Sequence, residues 1–108
     1  MATIRQWLTD AGFKWNSGRI ILQEVGEDEY CPGWGNPESA REATPSDRKL
    51  DYEFESGFGA PRCPRFIAED DEFIYFPSQY DGATSLVVVF RDISKYLNPD
   101  NPTPYPGG

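Results

Sequence analysis

The stretch RFIAEDDEFIYFPSQYDGATSLVVVF, residues 65–90, decides the fold that the sequence predicts. Residues 65–68 and 73–76 are rich in apolar side chains that strands favour, and they flank four adjacent acids at 69–72. Two such runs around a short polar segment predict a β-hairpin whose tip is entirely acidic. Because Pro77 lacks a backbone donor, we expect it to end the second strand or to place it at a sheet edge.

The end of the same stretch predicts one more strand. Asp81-Gly82 is a strong signal for a two-residue hairpin turn. Residues 86–90 then have the sequence LVVVF, an apolar run with almost no alternation. Such a run is typical of a strand that is buried on both faces, so we expect it at the centre of the sheet.

A short amphipathic helix is predicted over residues 3–11. Thr3 and Gln6 have the spacing of a capping box, and Gly12 is a natural C-terminal stop. Three apolar residues share one face of this helix: Ile4, Trp7 and Leu8. This apolar face predicts that the helix packs on the sheet.

The segment between the helix and the first quoted strand predicts three more elements. Residues 13–15 and 19–25 are expected to form a hairpin around the Asn-Ser-Gly turn at 16–18. Residues 37–43 are expected to form a short helix, because Asn, Pro and Glu occupy its cap and first turn. Residues 50–55 alternate Leu, Tyr and Phe with acids, which predicts a strand with one acidic face.

Together these elements predict an α+β fold. We expect a single domain with a mostly antiparallel sheet of about five to six strands, the N-terminal helix packed on one face, and one or two short helices. The domain is expected to span residues 1–97, ending in a short helix that Asp92 caps. Residues 98–108, NPDNPTPYPGG, are rich in proline and predict a mobile tail.

The composition argues against several classes of function. With no histidine and two cysteines, the chain lacks the groups of Ser-His-Asp catalysis, Cys-His catalysis and the common zinc sites. It also lacks a phosphate-binding loop and a dinucleotide-binding glycine motif. The formal net charge of −8 disfavours direct binding to nucleic acid and to anionic membranes. We therefore expect a non-enzymatic, soluble, cytoplasmic protein with no metal and no cofactor.

Cys31 and Cys63 are each followed by proline, which places each of them at a turn or in an irregular segment. Two cysteines in 108 residues do not make a disulfide scaffold. The expected cytoplasmic setting favours free thiols, and a disulfide between these two residues is the alternative.

The acids are clustered along the chain, and the first functional hypothesis concerns them. The predicted acidic strand contributes Asp51, Glu53 and Glu55, and the predicted hairpin tip contributes Glu69, Asp70, Asp71 and Glu72. Clustered charge speeds association with partners of opposite sign. We therefore expect a binding or inhibitor protein that docks on the basic, for example nucleic-acid-binding, surface of a protein partner and mimics nucleic acid. Phage-encoded inhibitors of host nucleases and defence complexes are small acidic proteins of this kind. The alternative is that these acids only keep one face of an antiparallel sheet solvated.

Trp34 carries the second hypothesis, since it lies between two glycines in the sequence PGWGN, and tryptophan is a frequent hot-spot residue in interfaces. The chain would then be a structural subunit or adaptor that binds through an apolar surface around Trp34 or a sheet edge. The alternative for this side chain is packing beneath its own loop. A third hypothesis is a carboxylate- or metal-dependent enzyme, because two acids suffice for glycoside hydrolysis and carboxylates bind divalent cations.

Overall fold

A computed structural model describes residues 1–26, 32–57 and 59–105. In chain order these residues form helix α1 (Ile4–Asp10), strands β1 (Arg19–Glu24) and β2 (Ser39–Ala43), a first 3-10 helix (Arg48–Asp51), strands β3 (Arg65–Glu69), β4 (Phe73–Tyr80) and β5 (Ala83–Phe90), and a second 3-10 helix (Ile93–Leu97). The five strands make one antiparallel sheet in the order β2-β1-β3-β4-β5. The predicted α+β fold is therefore confirmed.

Helix α1 begins and ends where its sequence predicts. The hydroxyl oxygen of Thr3 accepts a hydrogen bond from the backbone amide of Gln6 at 3.0 Å, as an N-cap does. Beyond the end of the helix Gly12 has a φ of 83°, a left-handed conformation that glycine adopts without strain. Ile4 and Leu8 are fully buried, so the helix contributes its apolar face to the core.

The core lies between α1 and one face of the sheet, which we call the inner face. Its side chains include Ile20, Leu22, Phe66, Ala68 and Tyr75, all buried. The register places Ile20 opposite Ala68, and Ala68 opposite Tyr75, so these residues lie on the same face of three adjacent strands. In the described part of the chain, the buried apolar side chains belong to this one cluster.

The two hairpins of the stretch 65–90 are confirmed. β3 and β4 flank the acidic tip, and Asp81 and Gly82 join β4 to β5 with φ angles of 48° and 82°, as a two-residue hairpin turn requires. Pro77 lies inside β4, where the strand pairs with β5 alone. Because proline cannot donate to β3, the β3–β4 pairing ends at Tyr75.

The predicted first hairpin and the predicted helix over 37–43 are both wrong. Residues 13–15 form no strand, because the ring of Phe13 turns into the core and contacts that of Tyr75, with centroids 5.4 Å apart. β1 pairs instead with β2 and β3. Within residues 37–43 the chain forms β2, since pairing with β1 outweighs the local preference of the Asn-Pro-Glu start.

The predicted acidic strand over residues 50–55 is also wrong. Its start belongs to the first 3-10 helix, where the carboxylate of Asp47 accepts a hydrogen bond from the backbone amide of Lys49 at 2.9 Å. Beyond that helix, Phe54 forms a single bridge to Ala2. Leu50 and Phe54 are buried as the alternation predicts, but Tyr52 is 52% exposed. The three acids of this segment therefore do not lie on a sheet face.

The expectation that residues 86–90 form a central strand is wrong as well. They belong to β5, which is an edge strand of the sheet. Two hydrogen bonds use backbone amides on the side of β5 that faces away from β4. The amide of Thr84 donates to the carbonyl of Ser56 at 2.8 Å, and the amide of Phe90 donates to the hydroxyl of Tyr96 at 2.9 Å. Such contacts protect an edge strand from further pairing.

Candidate functional site

The second face of the sheet, which we call the outer face, is apolar as well. Side chains alternate between the faces along a strand, so the neighbours of the inner-face residues point away from α1. Six apolar residues occupy these positions: Ile21, Ile67, Ile74, Phe76, Val87 and Val89. Ile67 is the most accessible of them, with 48% of its surface exposed. The other five are partly buried.

The strand register gathers these side chains into one patch. Ile21 lies directly opposite Ile67, and Phe76 lies directly opposite Val87. One pair joins β1 to β3 and the other joins β4 to β5; between them β3 and β4 are no longer paired, and on β2 Glu42 lies directly opposite Ile21. Ile74 and Val89, which are also paired with each other, extend the patch toward the hairpin tip. A contiguous apolar patch on a sheet face is typical of a protein-binding surface.

Charged and polar side chains border the patch at both ends. At one end Arg19 contacts Glu42 at 2.8 Å and Glu69 at 3.6 Å, and Arg91 contacts Glu69 at 3.7 Å. The hydrogen bond with Arg19 lowers the pKa of Glu42 and raises that of Arg19. The other end of the face is polar: Gln23, Arg65, Ser78 and Ser85. Three bases and two acids thus border the outer face, although the whole chain carries −8.

Ile67 projects between two shallow depressions of the outer face. One depression is lined by Ile21, Glu69 and Ile74 among others. The other is lined in part by Phe76 and Pro77, where the pairing of β3 and β4 has ended. A projecting side chain between two depressions gives this face a relief that a complementary protein surface can match.

Asp70 is buried, and its carboxylate holds the acidic hairpin tip together. Only 2% of its surface is exposed, and it accepts hydrogen bonds from the Tyr75 hydroxyl at 2.7 Å and from the backbone amides of Phe73, Glu72 and Lys14 at 2.8, 2.9 and 3.2 Å. Burial alone would raise the pKa of Asp70, but these hydrogen bonds outweigh it and lower the pKa. Its carboxylate therefore has little surface to offer to a partner.

The other acids of the tip and Asp51 are exposed but paired. The Lys14 ammonium lies 2.8 Å from Asp71 and 3.8 Å from Glu72. The guanidinium of Arg5 contacts Asp51 at 2.6 Å. Glu69 belongs to the ion pairs at the border of the outer face. Only Glu53 and Glu55, among the predicted acids, are exposed without an ion pair to the described part of the chain.

The two acidic segments lie at opposite ends of the sheet. Ser56, next to Glu55, contacts Thr84 at the start of β5. At the tip, Glu72 accepts a hydrogen bond from the backbone amide of Arg91 just past the end of β5. Thr84 and Arg91 are seven residue steps apart along extended chain, a distance of roughly 23 Å. The structure therefore does not combine the predicted acids into one stripe.

Trp34 is 71% exposed, so it does not pack beneath its loop. Two hydrogen bonds fix the backbone of this loop: the guanidinium of Arg65 donates to the carbonyls of Pro32 and Gly33 at 2.8 and 2.9 Å. A side chain on Gly33 would clash with Pro61, since an added Cβ would lie 2.5 Å from the Pro61 ring. Trp34 and Cys63 both line a cleft behind this loop.

Cys63 is a buried free thiol, and Cys31 lies outside the described residues. Burial raises the pKa of the Cys63 thiol to about 12, so the thiol stays protonated at neutral pH. Its Sγ donates a hydrogen bond to the carbonyl of Pro64 at 3.3 Å. These properties make it a packing residue of the cleft wall.

In residues 1–26, 32–57 and 59–105, no group of three or more acidic or cysteine side chains is placed to hold a metal ion. No helix in the same residues is long and apolar enough to cross a membrane. Comparison of the chain with protein-family models, curated proteins and solved structures found no match.

The outer face was missed by the sequence analysis, although a signal for it is present. Four of the five strands have adjacent apolar residues where strict alternation would place a polar one, as in Ile20-Ile21-Leu22 of β1 and Phe73-Ile74-Tyr75-Phe76 of β4. A strand with one solvated face alternates, whereas adjacent apolar residues supply both faces. The signal was interpreted only at residues 86–90, and there as burial at the centre of the sheet.

Proposed function

We propose that this chain is a non-enzymatic protein-binding subunit or adaptor whose outer face docks on a folded protein. The observation that supports this role is the patch of six apolar side chains around Ile67, which is 48% exposed. Complete burial of a fully exposed side chain of this kind contributes about 1.5–3 kcal/mol, and docking on the exposed half of Ile67 contributes about half of that. An apolar centre with a polar border is also the usual anatomy of a protein interface.

The partner's surface follows from the chemistry of the outer face. It needs an apolar centre that accepts Ile67, and charged groups of both signs around it, because Arg19, Glu42 and Glu69 border the patch. A strongly basic partner is not required, since the border carries more bases than acids. The protonated, buried thiol of Cys63 fits the cytoplasmic setting that we propose for this role.

Affinity capture with matched baits tests the proposal. The wild type, Ile67→Lys and the control Ile93→Lys are used as baits; Ile93 is an isoleucine of the second 3-10 helix with 81% exposure. A partner that the wild type and the control retain should be purified, and its dissociation constant should rise roughly 100-fold with Ile67→Lys. Equal affinity for all three baits would contradict the proposal.

A second candidate function uses the acids at Glu53 and Glu55, because both are exposed and neither has an ion pair in the described part of the chain. They would dock on a basic surface of a protein partner, such as the nucleic-acid-binding groove of a nuclease or defence complex, and mimic nucleic acid there. Association of this kind weakens with salt. The charge-reversed double variant Glu53→Lys/Glu55→Lys should then lose a salt-sensitive partner.

The matched control for this second candidate makes the same change in net charge elsewhere. Glu38 and Asp100 are exposed acids outside both predicted acidic segments. If Glu38→Lys/Asp100→Lys weakens binding as much as the reversal at 53 and 55, only net charge matters and the acids at 53 and 55 form no site. If the partner is retained at high salt by every charge variant, the acidic hypothesis fails and the outer face remains.

A further inference from the structure

We infer that the cleft beside Trp34 binds the proline-rich tail of a second copy of this chain. The segment that binds is residues 101–105, with the sequence NPTPY, which we call the tail segment. This site is separate from the outer face, so it does not depend on the proposed function. The conformation of the tail segment, the chemistry of the cleft and the positions of both on the fold support it.

The sequence holds the tail segment in a polyproline II conformation. The rings of Pro102 and Pro104 fix their φ angles at about −65°. Asn101, Thr103 and Tyr105 each precede a proline, which disfavours the α region and favours extended backbone. Residues 102–105 accordingly form neither helix nor strand. A segment that is already extended loses little conformational entropy when it binds.

One edge of the tail segment is apolar and accessible. A polyproline II helix has three residues per turn and rises about 3.1 Å per residue, so residues three apart share an edge. Pro102 and Tyr105 therefore lie on one edge, about 9 Å apart. Both are exposed, and 96% of the surface of Tyr105 is accessible. This edge offers a proline ring and an aromatic ring to a partner.

The cleft has the apolar rings that such an edge can pack against. Trp34, Pro61 and Pro77 are among the residues that line it. Proline-rich segments dock in grooves that aromatic side chains line. The two hydrogen bonds from Arg65 already fix the backbone that carries Trp34, so binding does not have to order this loop.

The cleft also has hydrogen-bond donors for the backbone of the tail segment. A polyproline II helix makes no internal hydrogen bonds and proline has no N–H, so its carbonyls need donors from a partner. The indole N–H of Trp34 and the hydroxyl of Ser78 lie along the cleft. Neither group makes a hydrogen bond within the described part of the chain. Both can donate to carbonyls of the tail segment.

Charge permits a second copy to approach the cleft. Two chains of −8 each repel one another most strongly where acids face acids. The residues that line the cleft include one base, Arg65, and no acid. The tail segment carries no charge, and the acid next to it is Asp100. The two surfaces therefore meet without opposing acidic groups.

The tail segment and the cleft lie at opposite ends of β5. The side-chain amide of Asn101 donates to the carbonyl of Lys95 at 3.0 Å, so the tail starts from the second 3-10 helix beyond the end of β5. The cleft is lined by Thr84 at the start of β5, and Thr84 and Arg91 are roughly 23 Å apart. Four steps of polyproline II helix from Asn101 span about 12 Å. The tail segment therefore reaches the cleft of another copy rather than its own.

A labelled peptide of residues 98–108 tests binding in the cleft by fluorescence polarisation against the full chain. The wild type should bind it, and Trp34→Ala should weaken binding roughly 30-fold, as truncation of a hot-spot tryptophan does. Tyr52→Ala, which changes an exposed aromatic residue outside the cleft, should bind as the wild type does. The same peptide with Pro102→Ala/Pro104→Ala should bind more weakly, because it is no longer held extended. No binding to the wild type at about 1 mM peptide, or equal binding to Trp34→Ala, would overturn the inference.

Sedimentation equilibrium of two complementary full-length variants tests the second copy. The tail segment and the cleft are different surfaces, so each wild-type chain can join two neighbours and the average mass should rise with concentration. Trp34→Ala keeps the tail segment and Pro102→Ala/Tyr105→Ala keeps the cleft, and each alone should be monomeric. Their mixture should form a heterodimer that grows no further, since one tail segment and one cleft remain. A mixture that forms no heterodimer, or a Trp34→Ala variant that assembles like the wild type, would overturn the inference.

One further variant separates this site from the proposed function. Ile67→Lys changes the outer face and should bind the labelled peptide as the wild type does. Weaker binding of the peptide by this variant would contradict a site at Trp34. The proposed function fails separately, when Ile67→Lys retains every captured partner of the wild type.

Discussion

The outer face and the two acidic segments, residues 51–55 and 69–72, differ in opposite ways from what their sequences suggest. The acids look like a binding surface in the sequence, yet Asp70 is buried and the acids around it pair with Lys14, Arg19 and Arg91. The apolar residues of the outer face look like core, yet they form a surface. A cluster of charge can be internal structure, and an apolar run can lie at the surface of a sheet.

The physical reason for the contrast is the number of layers in the fold. A sheet with two apolar faces needs a covering layer on each. Helix α1 has seven residues and contributes Ile4 and Leu8 to the inner face. Among the described residues α1 therefore supplies an apolar layer for one face, and the polar groups of the hairpin tip hold β3 and β4 together beside it.

The largest effect that we predict separates Phe54 from Tyr52, which the alternation of residues 50–55 placed on the same buried face. Phe54 is 2% exposed and its ring meets that of Trp7 edge-to-face, with centroids 5.0 Å apart. Phe54→Ala should lower the free energy of unfolding by about 3–5 kcal/mol, because it removes buried area and leaves a cavity. Urea denaturation of the wild type and the variant at the same protein concentration measures this change in the free energy of unfolding.

Tyr52→Ala is the control for this prediction. Tyr52 is 52% exposed, and its ring contacts the Lys49 ammonium at 5.3 Å from the centroid. Its removal should cost less than about 1 kcal/mol. Equal losses for the two variants would mean that residues 50–55 form the alternating strand after all.

The next largest effect concerns Asp70 and Asp71, adjacent acids that only the structure distinguishes. Asp70→Asn keeps the shape but replaces a carboxylate that accepts four hydrogen bonds, so it should lower the free energy of unfolding by about 2–4 kcal/mol. Asp71→Asn should change it by no more than about 0.5 kcal/mol, because its partner Lys14 is exposed. Urea denaturation of both variants at pH 7 measures the two losses of unfolding free energy. A loss at Asp70 as small as the loss at Asp71 would show that the Asp70 carboxylate does not stabilise the hairpin tip.

The pH dependence of stability should follow from the same carboxylate. The pKa of Asp70 is lowered in the folded protein, so its contribution is complete above the pKa of the unfolded chain, about 3.9, and is lost as the pH falls through the folded value. The difference in stability between the wild type and Asp70→Asn should therefore be constant from pH 7 to about 5 and should narrow below about 4. A difference that stays constant down to pH 2 would show that Asp70 does not titrate with folding.

Elements that are specified locally were predicted from the sequence, and elements that depend on distant pairing were not. Helix α1 has its cap and stop within a few residues, and both hairpins of 65–90 have their turn residues between their strands. The segment 37–43 has an equally clear helix start, but its alternative partner, β1, is more than a dozen residues away. No local pattern reports the stabilisation that this distant pairing adds.

The sequence predicted binding through an apolar surface as one hypothesis, but it did not predict where on the fold that surface lies. The sequence suggested that an apolar surface at a sheet edge or at Trp34 could bind a protein, and Trp34 is indeed exposed. It did not suggest the outer face, because the position of β5 at the edge and of α1 on one side cannot be obtained from LVVVF alone. Whether an apolar strand face is covered is a property of the number of layers, which depends on the whole chain.

The smallest effect that we predict lies within the acidic segment itself and tests whether its three acids are equivalent. Glu53→Lys/Glu55→Lys should change the free energy of unfolding by no more than about 0.5 kcal/mol, because both side chains are exposed and have no ion pair in the described residues. Asp51→Asn removes a contact with Arg5 and should cost up to about 1 kcal/mol. High salt should shrink the cost at Asp51 and leave the double reversal unchanged. A stability loss from the double reversal as large as that from Asp51→Asn would show that Glu53 and Glu55 also hold the fold together. They would then be no freer for a basic partner than Asp70 is.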